Sequence, residues 1–120
     1  MARMVTSATN LAKAREAVEA YLVKQPFVTD LQQMTVPLLA NVLVLANRRS
    51  TSNRELREWL SGPRLHEIAT EAATSKDEEQ KEAATRILGW LAAETDDMYL
   101  AANHNVLRAE AMAMLARDGR

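Results

Sequence analysis

The stretch Ser75–Glu94, SKDEEQKEAATRILGWLAAE, limits the folds open to this chain more than any other segment. Ser75 followed by Glu78 has the spacing of a capping box, in which side chains satisfy two unpaired amide donors at a helix start. Asp77, Glu78 and Glu79 add negative charge where the helix dipole is positive. Ala84, Ile87, Leu88 and Leu91 then recur at i, i+3, i+4 and i+7, one face of a 3.6-residue period. A helix with one apolar stripe must bury it against another element, and 120 residues suffice for one domain of several such helices.

The flanking segments read as helices too. Residues 1–7 show no ordering pattern and are expected to fray. Thr6 or Ser7 can cap a first helix to about Lys24, with Leu11, Ala14, Val18, Tyr21 and Leu22 inward. Gln25-Pro26 ends it, because the residue before proline is driven out of the α region. Phe27 and Val28 are apolar linker residues expected to be buried, and Thr29 caps a short turn through Met34. Pro37 then lies in the first turn of VPLLANVLVLANRR, where its missing donor is harmless. That segment is apolar on nearly every side and should be the most buried helix. Val42 to Leu45 also has strand character, the rival reading. Ser52 or Asn53 caps NRELREWL, with Leu56, Trp59 and Leu60 inward. Ser61-Gly62 stops it, and Pro63 opens a helix to about Thr74 with Leu65, Ile68, Ala69 and Ala72 on one face. Thr95-Asp96-Asp97 caps a segment through Ala102, Asn103-His104-Asn105 is a break, and a last helix runs from Val106 to Arg117.

Composition closes off several classes. Aromatic residues make up only 4%, so the core is built from Ala, Leu, Val, Ile and Met, while three Gly and three Pro favour helices. A net charge of -1 fits neither a nucleic-acid binder nor a binder of acidic surfaces. The chain has no cysteine, which removes disulfides and thiolate metal sites and suits a reducing, cytoplasmic compartment. The first residues lack a signal peptide's apolar segment, and the run Val36–Ala46 is too short to span a bilayer.

Short helix, Gly-Pro turn, medium helix, sharp turn and long helix form the plan of one armadillo repeat. Ala84-Thr85-Arg86-Ile87-Leu88-Gly89-Trp90-Leu91-Ala92 resembles that family's third-helix pattern, A-x-x-A-L-x-N-L-A. Ile87 replaces a small residue, and Trp90 stands at the usual Asn. LSGPRLHEIATEA is similar to the family's turn and middle helix. Residues 29–46 can be laid over 75–92 at an offset of 46, and 65–73 over 107–115 at an offset of 42. Armadillo and HEAT repeats run about 40–47 residues. The resemblance covers 53–94 and implies an all-α, right-handed armadillo- or HEAT-like stack over 1–120; a compact multi-helix bundle is the alternative. It also implies a protein-binding adaptor whose third helices line a groove for a partner peptide or helix. Carried over, the groove positions are Arg86 and Trp90, with Val44 one repeat earlier and Arg48 beside it.

No catalytic, cofactor or metal site is expected. His66 and His104 have no second histidine at ligand spacing, and no nucleophile has a base beside it. Asp77, Glu78 and Glu79 are explained by capping and dipole charge. Trp59 belongs to the core, on its spacing with Leu56 and Leu60. Two further functions remain as alternatives. One is a self-associating structural helical protein. The other is a helix-turn-helix DNA binder, suggested by Arg48, Arg49, Arg54, Arg57 and Arg64 around two short helices. Glu67 and Glu71 on the would-be recognition helix oppose that last reading.

Overall fold

In the structure, a computed structural model that describes residues 3–118, every regular element among the described residues is helical. The order is α1 (Arg3–Ser7), α2 (Leu11–Val23), α3 (Asp30–Arg48), α4 (Asn53–Ser61), α5 (Arg64–Ala72), α6 (Glu78–Ala92) and α7 (Met98–Arg117).

The apolar segment Val36–Ala46 sits in the middle of α3 and is the axis of the fold. Leu38, Leu39, Ala40 and Val42 through Ala46 are fully buried. They point in all directions around the helix, so α3 needs cover on every side. It receives that cover from α1, α2, α5, α6 and α7, most extensively from α7. The strand reading of Val42–Leu45 therefore fails: its β-forming residues lie within one continuous helix. A linear stack in which each unit touches only its neighbours would not bring α7 onto α3. The molecule measures 38 × 29 × 24 Å.

α3 also begins earlier than the sequence suggests. Thr29 and Gln32 form a full capping box: the Gln32 N–H donates to Thr29 Oγ1 at 3.1 Å and the Thr29 N–H to Gln32 Oε1 at 2.9 Å. Thr35 and Val36 are buried in the turns that follow. Pro37 consequently lies inside the helix rather than in its first turn. It costs the Gln33 carbonyl its usual amide donor. Gln33 and Pro37 both line a surface groove, which keeps that carbonyl on the wet side of the helix.

Four further features differ from expectation. Residues 1 and 2 lie outside the described residues, but Arg3–Ser7 is a helix whose Met4 and Val5 are buried, as is Ala8 after it. Asn10, not Thr6 or Ser7, caps α2 by accepting from the Lys13 N–H at 2.8 Å. The capping box expected of Ser75 and Glu78 does not form. Asp77 caps α6 by accepting from the Glu79 and Gln80 amides, and Ser75 supports it by accepting from the Asp77 N–H. Finally, Asn103-His104-Asn105 does not break α7. Asn103 Nδ2 bonds back to the Tyr99 carbonyl at 2.7 Å, so the polar residues stay within a helix of 20 residues.

α4 and α5 match the sequence reading closely. Ser52 caps α4, whose Leu56, Trp59 and Leu60 are buried, and α5 buries Leu65, Ile68, Ala69 and Ala72. The end of α4 is held by a residue remote in sequence. Arg108 of α7 donates to the carbonyls of Leu60 at 2.8 Å, Gly62 at 2.6 Å and Trp59 at 3.4 Å. A cation there also faces the negative end of the α4 dipole.

Candidate functional site

Two of the four residues singled out for a partner groove are not on a surface. Val44 is fully buried and Trp90 is 6% exposed; both belong to the one apolar core. The buried face of α6 is Ala83, Ala84, Ile87 and Trp90, with Leu88 and Leu91 only partly buried. The stripe is thus turned from the expected line, and the indole fills the core where a ledge was expected. Arg86 is exposed and lies 3.9 Å from Glu82 one turn away. Arg48 is half-buried and hydrogen-bonds Asp77, and its Nη1 donates to Asn47 Oδ1 at 3.1 Å. That bond with Arg48, more than any other influence, holds the Asp77 carboxyl below its ordinary range. Arg48 therefore ties the end of α3 to the start of α6.

Three of the arginines around α4 and α5 are similarly engaged. Arg49 pairs with Glu71 at 3.4 Å, Arg54 with Glu58 at 3.9 Å and Arg64 with Glu67 at 2.8 Å. His66 is exposed. His104 is half-buried and its Nδ1 has no hydrogen-bond partner among the described residues. Burial first, and the nearby Arg108 charge second, lower its pKa below the usual histidine value. Among the described residues no three His, Asp or Glu side chains are grouped to hold a metal.

The residues left for contact surround the N-terminal end of α3. Val23, at the end of α2, is 83% exposed, and Phe27, in the turn that follows, is 75% exposed. Phe27 was expected inside. Only Pro26, Phe27 and Val28 separate Gln25 from the Thr29 cap, and Val28 takes the inward place. Met34, Met98, Tyr99 and Val106 are further exposed apolar side chains. Tyr99 donates its hydroxyl to Met34 Sδ at 2.9 Å, which joins the start of α7 to this region.

Two grooves border the turn that carries Phe27. One, of about 420 Å³, runs between α2 and α3 over Leu22, Val23, Val28, Val36 and Pro37, with Arg15, Glu19 and Gln33 as its polar members. The other, of about 500 Å³, includes Phe27 and Leu31 with Glu110 and Arg117 of α7. Both combine an apolar floor with a few charged groups. The signal available in the sequence was the brevity of the turn: two bulky residues between Pro26 and Thr29 cannot both face inward.

No protein-family model, curated protein or solved structure matches the chain. Among the described residues no helix is long and apolar enough to cross a membrane.

Proposed function

We propose that this chain is a non-enzymatic interaction protein that binds another protein through the apolar side chains around the N-terminal end of α3. The observation that carries this reading is Phe27. In a chain with five aromatic residues and both tryptophans buried, the single Phe stands 75% exposed in a turn fixed by caps on either side. Burying such a ring is worth about 1.5–3 kcal/mol. The fold forgoes that gain, and a partner can recover it. Aromatic and Met side chains are also enriched where proteins meet, and Met34 and Met98 supply the latter here.

The armadillo- or HEAT-like reading draws support from the order α4, Gly62-Pro63 turn, α5, α6. Against it stands the closure of α7 on α3, and we weigh the compact bundle more heavily. A groove lined by Val44 and Trp90 forms no part of the proposal. DNA binding is weakened because four of the five local arginines have acidic partners.

The test is capture from native lysate by the immobilised chain and by its Phe27→Ser variant. The variant should keep its helical circular dichroism and melting temperature but lose the captured protein severalfold. Equal capture by two equally folded proteins would remove this surface from consideration.

A further inference from the structure

We propose that α2 is a self-pairing face, along which two copies of this chain associate antiparallel with Arg15 of each against Glu19 of the other. The inference rests on the reading of the chain as an interaction protein and names a second copy as its partner.

Arg15 and Glu19 are exposed, stand one turn apart and border the groove between α2 and α3. Opposite charges at this spacing can close on each other within a helix. Arg54 and Glu58, in the same order and spacing, do so at 3.9 Å, and Lys13–Glu16, Arg64–Glu67 and Glu82–Arg86 also pair. Arg15 and Glu19 form no ion pair with any described residue. A cation and an anion therefore remain uncompensated beside an apolar wall.

Such a pair is self-complementary. In a two-fold contact, residue i meets j and j meets i. An axis level with Ala17 sets Arg15 opposite Glu19 of the second copy, because both lie two residues from Ala17. The same axis sets Val23, six residues from Ala17, beside the small, exposed Ala12 of the second copy, five residues away on the other side. Ala12, Arg15, Glu19 and Val23 follow the spacing of one helical stripe, whose midpoint is level with Ala17 although Ala17 itself packs against the core. Val23, the most exposed large apolar side chain at 83%, would gain cover. Glu16, close to its own copy across the axis, is already paired with Lys13. A parallel arrangement would place Arg15 on Arg15 and Glu19 on Glu19, so the charges also select the antiparallel orientation.

Sedimentation equilibrium of the full chain over a concentration series tests this. The mass should rise from 13.4 kDa towards twice that value. Arg15→Glu and Glu19→Arg should each weaken the dimer by about tenfold or more, since each sets like charges face to face. Combining them restores opposite charges and should return the wild-type dimer. Circular dichroism should be unchanged throughout, because both side chains are exposed. A mass independent of concentration, single variants without effect, or a double variant that stays weak would each overturn the proposal. A strict monomer whose lysate capture still depends on Phe27 removes the self-pairing and leaves the Phe27 surface standing. A charge-swap-dependent dimer whose capture ignores Phe27 supports the pairing and removes the Phe27 surface.

Discussion

The two ends of α3 are built on different principles. Around its C-terminal end, polar side chains tie neighbouring elements together. Asn47 Nδ2 donates to the Val5 carbonyl at 2.9 Å, and Arg48 binds Asp77. Close by in the same set of elements, the Leu11 N–H donates to Glu79, and Asp118 accepts from the Met4 N–H and from Asn53. Around the N-terminal end, Val23, Phe27 and Met34 are exposed, the capping bonds of Thr29 and Gln32 stay within α3, and Tyr99 of α7 donates its hydroxyl to Met34 Sδ at 2.9 Å. Directional bonds between elements fix one end in a single arrangement, whereas the other leaves large apolar side chains in water.

The largest effect should follow from cutting the polar end. Asp77→Ala removes both the α6 cap and the partner of Arg48. A cap is worth about 1 kcal/mol and a partly exposed pair up to about 1. Chemical denaturation should therefore show a loss of about 2 kcal/mol. A loss below about 0.5 kcal/mol would mean that this end is no more firmly held than the other.

A gain should come from Ser50, just past the end of α3. Its φ is 52°, in the left-handed region, and the Thr51 N–H reaches back to the Ala46 carbonyl at 2.9 Å. Glycine adopts this conformation without the Cβ penalty. Ser50→Gly should raise stability by about 0.5–1 kcal/mol, read from the denaturation midpoint. No change would show that the bend is held by its surroundings and not by the residue.

Acid should reveal the same asymmetry. The folded Asp77 carboxyl is held below its ordinary pKa, chiefly by Arg48. Its stabilisation is complete above the unfolded value of 3.8 and is lost as pH falls through the lower folded value. Asp77→Asn should flatten this acid limb of a stability-against-pH curve, while Phe27→Ser should leave it unchanged. At the open end, Phe27→Ser should alter stability by less than about 0.5 kcal/mol, the smallest effect of the series.

The sequence showed best what is local. α4 and α5 were legible because Ser52, Gly62-Pro63 and the spacing of Leu56, Trp59, Leu60, Leu65 and Ile68 all act within one or two turns. The centrality of α3 was legible from its all-round apolar pattern. The order of α1 was not, because Met4 and Val5 are secured by contacts with elements distant in sequence, including Asp118. Pro37 looked like a helix start and Asn103-His104-Asn105 like a break. Tertiary burial and a side-chain bond to the preceding turn outweigh their local preference. Of the candidate surface, Trp90 was misplaced because Leu88 and Leu91 give an equally good stripe on the same helix. Arg108 left no sequence signal, since its acceptors are backbone carbonyls more than 40 positions earlier.

The Arg108 contacts set the tolerance of the chain to insertions. One guanidinium spans carbonyls of Trp59, Leu60 and Gly62, so the length of α4 and its elbow is measured against a fixed point on α7. Adding a residue between Leu60 and Pro63 would slip that measure and strand a half-buried cation. The connection between α6 and α7 makes no such measurement around Asp96, so extra residues there should be absorbed. Natural or engineered variation in length should accordingly gather at the second elbow and avoid the first.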